Sequence, residues 1–389
     1  LASTLFPAAL HVDRSVGRFD TAYVGHVEEG DFREKGSSGG MVSWMAAELL
    51  RRNLVDGVAH VVPADPRKEH RLFRYGISRT VAEVRAGSGS RYYPVDLSEV
   101  LRTIWATPGR YAVIGIPCFI KAVNLLRAED EIVRQRIVYT LGLFCGHMKS
   151  ARFVDSIARQ ADVKPEAVAA VDYRVKAPGR PANWYRARLN LADGGTKEKD
   201  WWHLADGDWG AGFFQNSACN FCDDVVSETA DIAFGDAWVE PYSSDPDGTN
   251  VVIVRKPELG LIVRDAVNEG RLSLRQVGAD FVKETQAAGL RQRREGLAYR
   301  LAWKPPAFPL RKRVEGGAFG LPMRRKLIYR MRYSISRWSH PMFALGRITG
   351  LPALYTWWAK AALWLYHGLA YSRGVAGRAF DALLVRSTG

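Results

Sequence analysis

Tyr111-Ala112-Val113-Ile114-Gly115-Ile116-Pro117-Cys118 reads as a buried strand that runs straight into a helix start. An apolar run with no charged break fits a strand covered on both faces. Pro117 suits the first turn of a helix, where its missing N–H leaves nothing unsatisfied. The same pattern recurs on either side. Residues 58–62 and 137–144 are further apolar runs, and 97–105 and 119–127 carry helical spacing between them. Strand alternating with helix predicts an α/β layer architecture, mixed with α+β character further along.

Working outward, residues 40–54 predict an amphipathic helix through Met41, Trp44, Met45, Leu49 and Leu50, ended by Asp56-Gly57. Between about 171 and 204 the pattern turns antiparallel, with Ala192-Asp193-Gly194-Gly195 as the turn between strands at 185–191 and 197–202. Residues 230–234 and 250–255 return to strand. Pro, Gly and basic residues cluster from Pro305-Pro306 to Pro322. The expected organisation is one enzyme-sized domain over 1–300 with a hairpin insertion at 171–204, a linker at 301–321, and a basic amphipathic helical tail at 322–389.

Charge divides the same way. The chain of 389 residues has a net charge of +14, yet residues 301–389 hold fifteen Lys and Arg against only Glu315 and Asp381. The body is close to neutral and the tail carries the excess. A basic tail attracts any polyanion. Here the basic residues sit among helical apolar faces, with Leu327, Ile328, Met331, Ile335 and Trp338 on one side, and no nucleic-acid-binding motif accompanies them. The tail therefore predicts either a helix lying in a lipid headgroup layer or packing on protein, and no nucleic-acid partner. Lys360 inside 348–372 argues against spanning.

The four cysteines stand at element ends: Cys118 and Cys145 each follow an apolar run, and Cys219 and Cys222 form Cys-Asn-Phe-Cys. One Cys-x-x-Cys pair with two distant single cysteines favours an iron-sulfur cluster over a zinc ribbon, which uses two close pairs. The alternatives are that Cys118 and Cys145 are small buried hydrophobes, or that a lone cysteine is a nucleophile with His147 as its base. Disulfide staples are not needed in a chain of this size. At Cys118 a helix N-terminus is expected to lower the thiol pKa.

Two glycine-serine segments precede the cysteines. In Gly36-Ser37-Ser38-Gly39-Gly40, at a helix start, open N–H groups favour an anion such as a cofactor phosphate, although such segments also serve as plain caps. In Gly87-Ser88-Gly89-Ser90-Arg91-Tyr92-Tyr93, Arg91 is suited to clamp a pyrophosphate and Tyr92 to stack on a flat ring. A surface loop anchored by a core tyrosine is the other reading. Finally, Ala230-Asp231-Ile232-Ala233-Phe234-Gly235-Asp236-Ala237-Trp238 breaks at Gly235-Asp236, putting a carboxylate where α/β sheets gather ligands.

Taken in order, Gly-Ser-Ser-Gly-Gly at 36–40, Val-Asp-Gly-Val at 55–58, Gly-Ser-Arg-Tyr at 89–92, Gly-Ile-Pro-Cys at 115–118, Gly-Leu-Phe-Cys-Gly at 142–146, Tyr-Arg at 173–174, the Cys-x-x-Cys at 219–222 and the Asp231–Trp238 run resemble the coenzyme F420 hydrogenase/dehydrogenase beta subunit family. The resemblance spans about residues 20 to 300. It implies a flavoprotein holding FAD beside a [4Fe-4S] cluster, with Cys118, Cys145, Cys219 and Cys222 as cluster ligands. It also implies that Ser37, Ser38, Gly39, Gly40, Ser90, Arg91 and Tyr92 hold FAD. Electrons would enter singly through the cluster and leave as a hydride from the flavin to a substrate. Within the family the substrate varies: coenzyme F420, a chlorophyll derivative, ferredoxin-linked partners, or metabolites of polysaccharide biosynthesis.

Two departures shape the expectation. Many relatives begin with a ferredoxin-like stretch that this chain, opening on Leu1, does not show, so an upstream segment or a ferredoxin-like donor is expected to deliver electrons. Ile116 and Phe119 replace polar residues common in relatives, which weighs against F420 as the partner. The reading is a cytoplasmic FAD and iron-sulfur oxidoreductase acting on a small or carrier-linked metabolite, with peripheral contact of 322–389 to the inner face of the membrane as one role for the tail. His147 and Asp236 are the candidate proton-handling residues. The rivals are a non-enzymatic electron-relay protein that docks a ferredoxin or dehydrogenase partner, a coenzyme F420-dependent hydrogenase/dehydrogenase beta subunit, and a zinc-bound scaffold.

Overall fold

All five residues of the strand Tyr111–Gly115 are buried, and the chain builds its largest sheet around it. The computed structural model describes residues 1–177, 179–306, 311–318 and 320–385. Eight strands lie side by side in the order Leu272–Val277, Thr21–Val27, Asn250–Val254, Ile232–Asp236, Ile137–Leu143, Tyr111–Gly115, Gly57–Pro63 and Phe73–Ser78. The four strands from Ile232–Asp236 to Gly57–Pro63 run parallel, and antiparallel strands extend both edges.

The pleat sorts the central residues between two cores. Ala112 and Ile114 join one cluster with Met41, Trp44 and Met45, while Tyr111 and Val113 join another with Ile104, Val123 and Val133. Each face is covered by helices, so the strand interiors need no polar alternation. Pro117 opens the helix Pro117–Glu129, as its fixed φ favours.

The first long helix spans Met41–Arg51 and is buried almost all round, so the amphipathic reading is corrected. Its one buried charge, Glu48, accepts hydrogen bonds from Arg52 Nε at 2.8 Å and Arg271 Nη1 at 3.1 Å. Those guanidinium partners hold the carboxyl below its usual range even though burial opposes them.

A second, three-stranded antiparallel sheet lies at 168–200, in the order Thr196–Asp200, Arg186–Leu191, Val168–Val175. Its core includes Phe153, Tyr173, Leu189, Trp201 and Phe214, and reaches into the tail through Ile335, Phe343, Tyr355, Ala359 and Tyr366. The tail helices Met323–Ile348, Ala353–Tyr371 and Gly374–Val385 therefore pack on the body. Tyr355 Oη donates to the buried Asp206 carboxylate at 2.8 Å, and Ser339 Oγ accepts from Phe214 N at 2.9 Å.

The stretch expected as a linker begins inside the helix Glu295–Trp303, and Arg313 within it returns to the body, donating its N–H to Asp223 and pairing with Glu228. Residue 178 of the expected insertion, 307–310 and 319 of the expected linker, and 386–389 of the tail lie outside the described residues. Among the described residues no helix is long and apolar enough to cross a membrane.

Candidate functional site

Parallel strands present their C-terminal ends to one edge of the sheet, where α/β folds gather ligands. Cys118 follows Tyr111–Gly115 there, Cys145 follows Ile137–Leu143, and Asp236 ends Ile232–Asp236. The Cys-x-x-Cys segment, in the short helical turn Ser217–Phe221 and its cap Cys222, is drawn beside Cys145 by backbone bonds. Asn216 N donates to Met148 O at 2.9 Å, and Met148 N donates to Cys219 Sγ at 3.3 Å. Cys145 N donates to Val225 O at 2.9 Å.

The four thiols sense one another. Burial pushes the Cys118 thiol up to about 11, with further upward pressure from Cys222 and Cys219. The first-turn N–H groups pull the other way but are outweighed, which corrects the expectation of a lowered thiol at this helix start. Cys145 is raised by burial and by the other three thiols, and opposed by Arg293. Cys219 is raised too, again mainly by burial. All four are free. Among the described residues no three His, Cys, Asp or Glu side chains form a group that could hold a single metal ion.

Around the thiols stands a set of arginines from the helices Ala287–Arg293 and Glu295–Trp303. Arg293 donates to Cys219 O at 2.5 Å, to Gly146 O, and more weakly to Cys145 O at 3.4 Å. Burial lowers its pKa, but neighbouring Cys222, Cys145 and Cys219 raise it by more. Arg300 Nε donates to Asn220 O at 2.8 Å, inside the Cys-x-x-Cys turn. Both arginines are 2% exposed. A buried cation with carbonyl rather than carboxylate partners keeps its charge free to face sulfur.

From Cys145 the chain passes through Gly146 to His147, which stacks on Trp209 with centroids 4.2 Å apart. A side chain at 146 would meet Trp209 Nε1 at 2.3 Å, so only glycine lets the indole approach. Trp209 in turn contacts Tyr92 at 4.8 Å, and Tyr92 contacts Tyr173 and Trp201 at 5.5 and 5.8 Å. Arg174 lies over Tyr185 at 4.4 Å and pairs with Asp236 at 2.9 Å. In this aromatic patch His147 Nε2, Tyr173 Oη, Trp201 Nε1 and Arg91 Nε are buried without a hydrogen-bond partner among the described residues. Each such group costs about 1–3 kcal/mol, so their concentration in one patch calls for a reason.

The two glycine-serine segments meet beside this patch. Ser37 Oγ accepts from Ser90 N at 2.7 Å, and the hydroxyls of Ser88 and Ser43 lie 3.0 Å apart. Lys176 Nζ donates to Ser38 O at 3.1 Å and is lowered to about 8, chiefly by burial. Gly40 has φ +82, and a Cβ there would strike the backbone of Phe32 at 2.6 Å. The first N–H of the following helix, on Met41, is not open to an anion as expected but donates to Asn250 Oδ1 at 3.1 Å. Ser38 Oγ is also committed, donating to Thr249 O. Arg91 does not stand free as a clamp: its Nη2 donates to Ser88 O at 2.7 Å and its guanidinium lies over Phe73.

The structure thus brings the four cysteines to one neighbourhood, and brings 37–40 to 90–92. His147 and Asp236 border the aromatic patch between them. His147 is held well below its usual pKa by burial and by Lys149, Arg332 and Arg293, so its ring is neutral. Arg293, Arg300, Trp201 and Trp209 join the site without having been picked out in the sequence. A run such as Gln292-Arg293-Arg294 resembles a solvated helix face, and only the fold shows it buried.

One family model, described as the N-terminal part of the coenzyme F420 hydrogenase/dehydrogenase beta subunit, matches residues 22–102. A second, described as the C terminus of that same beta subunit, matches residues 109–280. No curated protein matches the chain. Among solved structures, a chain from the F420-reducing [NiFe] hydrogenase complex of Methanosarcina barkeri superimposes with a TM-score of 0.58 at 18% identity, covering 78% of this chain and 99% of that one. At that identity the likeness speaks for the fold. The two family models together take in well over half of the sequence, including all four cysteines and both glycine-serine segments, and the chain belongs to the coenzyme F420 hydrogenase/dehydrogenase beta subunit family of oxidoreductases.

Proposed function

We propose that this protein is an FAD- and [4Fe-4S]-dependent oxidoreductase that exchanges electrons between a ferredoxin-like donor and a small or carrier-linked metabolite, such as a polysaccharide precursor. The observation that carries the reading is the continuity of the site: four mutually sensing thiols, a buried arginine facing them, and an aromatic patch of unpartnered donors reached through Gly146 and His147.

The residues fit both groups. A four-iron cluster puts an iron on each thiolate and holds its ligands further apart than one ion does. The pattern of one Cys-x-x-Cys pair with two distant single cysteines suits a cluster better than a structural zinc site, which uses two close pairs. Cys118, Cys145, Cys219 and Cys222 would hold it. The half-buried rings of Tyr92 and Trp209, with the unpartnered Tyr173 Oη and Trp201 Nε1 buried behind them, suit a flat, polar-edged heterocycle such as a flavin. When bound, the pair supplies conversion between one-electron and two-electron transfer.

The chain's own residues then position and tune. Arg293 and Arg300 fix the Cys-x-x-Cys turn and place positive charge beside the thiolates. His147, kept neutral by burial and by Lys149, Arg332 and Arg293, resists protonation, and its role is to stack on Trp209 beside the cysteines. Asp236 acts as a positioning residue by holding Arg174 over Tyr185.

For the tail we propose peripheral attachment to the inner face of the membrane, supported by its exposed Ile348, Leu351, Trp357 and Trp364. The enzyme reading is tested by reducing the protein anaerobically and mixing it with candidate acceptors. Flavin reoxidation by a small metabolite is the expected result. Reoxidation only by a protein partner would make the chain an electron relay instead.

A further inference from the structure

Where the tail closes on the body it leaves a cavity of about 300 Å³ that the redox site does not use. Four positive side chains line it from four different elements. Arg159 comes from the helix Arg152–Gln160, Lys199 from the strand Thr196–Asp200, Arg347 from Met323–Ile348, and Lys360 from Ala353–Tyr371. The sole carboxylate among the lining residues is Asp162. Beneath the floor Asp206 is committed to Ser156, Gln160 and Tyr355, at 2.6, 3.0 and 2.8 Å.

None of the four cations has an ion-pair partner within 4.0 Å among the described residues, whereas about half of the arginines in residues 1–300 have one. Arg159 Nε is in addition buried with no hydrogen-bond partner, its guanidinium held over the ring of Phe343 at 5.8 Å. Asp155, on the same helix as Arg159, offsets part of the charge of Arg159 and Arg347 from beyond ion-pair distance, and the cavity keeps an excess of positive charge that favours an anion.

The surroundings say what kind of anion. Trp357, Lys360 and Trp364 recur at helical spacing on the outward side of Ala353–Tyr371, with both indoles more than half exposed. Ile348 and Leu351, 81% and 57% exposed, directly follow and precede the lining residues Arg347 and Pro352. Indole rings beside a cationic hollow suit the boundary between lipid headgroup and acyl chain. We propose that this cavity is a binding site for the phosphate of an anionic lipid, with the lipid chain lying along the Trp357–Trp364 face. The inference rests on the peripheral-membrane reading of the tail and gives that reading a specific site.

The test is sedimentation of the full chain with phosphatidylcholine vesicles with and without phosphatidylglycerol, and with soluble pyrophosphate as competitor. Two variants of equal net charge are compared: Arg347→Glu/Lys360→Glu in the cavity, and Arg337→Glu/Arg378→Glu on exposed tail positions outside it. All four positions are exposed, and unchanged flavin content checks that each variant folds. The expected result is binding that requires phosphatidylglycerol, weakens in pyrophosphate, and falls about tenfold further in the cavity variant than in the control. Equal losses in the two variants would overturn the cavity site while leaving the membrane reading standing. Pyrophosphate binding with no vesicle binding would assign the cavity to a soluble phosphate and overturn the lipid. Absence of both would overturn the site and the membrane reading together.

Discussion

Replacing Arg293 by methionine separates the stability of the empty site from its capacity to keep a cluster. The guanidinium makes one short bond to Cys219 O and one to Gly146 O, with a long third to Cys145 O. Charge-assisted bonds are worth about 1.5–3 kcal/mol each, so the two good ones amount to about 3–6 kcal/mol. In the cluster-free protein the Cys145 and Cys219 thiols are raised by burial, and the desolvation of the buried guanidinium is offset mainly by carbonyls, with Asp224 attracting it at longer range. Methionine relieves that desolvation, and the net loss of unfolding free energy should shrink to about 1–3 kcal/mol. Once the thiols are metal-bound thiolates, the lost positive charge is felt in full. Arg293→Met should then release iron to a chelator at least about tenfold faster than wild type, since each 1.4 kcal/mol is a factor of ten. Arg293→Lys keeps the charge but cannot span two carbonyls, and should fall between the two. Urea unfolding of the cluster-free protein and timed iron release from the loaded protein give the two numbers. Iron release at the wild-type rate would refute the placement of Arg293 against the cluster.

Three further outcomes follow from individual contacts. Gly146→Ala should drive the Trp209 indole off His147, because its Cβ would lie 2.3 Å from Nε1. Overpacking of this kind costs about 1–3 kcal/mol, and a changed near-ultraviolet circular dichroism signal with reduced flavin retention would report it. Tyr355→Phe removes one donor from buried Asp206 and should cost about 1–3 kcal/mol while loosening the tail, seen as faster proteolytic release of residues beyond 320. Burial holds Lys149 down at about 7, against about 10.5 when unfolded. Between those values the unfolded chain binds the extra proton, so stability should rise by roughly 3–5 kcal/mol as pH climbs through the window. Denaturant midpoints measured from pH 6 to 10 should show the rise in wild type, flattened in Lys149→Met.

The parallel core was legible because 111–118 carries its own punctuation: an uninterrupted apolar run, then Pro117 where a helix can begin. The helical tail was likewise readable from its spacing of apolar and basic residues. Three strands of the large sheet were not. Phe73–Ser78 is broken up by Arg74 and Gly76, and it declares itself only by pairing with Gly57–Pro63. Thr21–Val27 contains Gly25 and His26, and Leu272–Val277 carries polar and charged residues along its exposed side. Neither of these two stands out from a loop until Asn250–Val254 pairs beside the first of them.

The helix Met41–Arg51 looks amphipathic because Glu48 and Arg51 resemble a wet face. Only Arg271, which pairs with Glu48, and Glu29, which pairs with Arg51, both apart from the helix in sequence, turn that face inward. The site shows the same division. The cysteines and glycine-serine segments are local signals, and the fold gathers them. Trp209 on His147 and Arg293 beside the thiols depend on contacts between residues 62 or more positions apart, which no local pattern announces.

The central claim is that the four cysteines hold one cluster next to a flavin. Iron, acid-labile sulfide, zinc and flavin measured per chain in anaerobically purified protein test it most directly. The account predicts about four irons, four sulfides and one flavin, with iron lost in each of the Cys118, Cys145, Cys219 and Cys222 to serine variants. A colourless protein carrying one zinc and no flavin would contradict it.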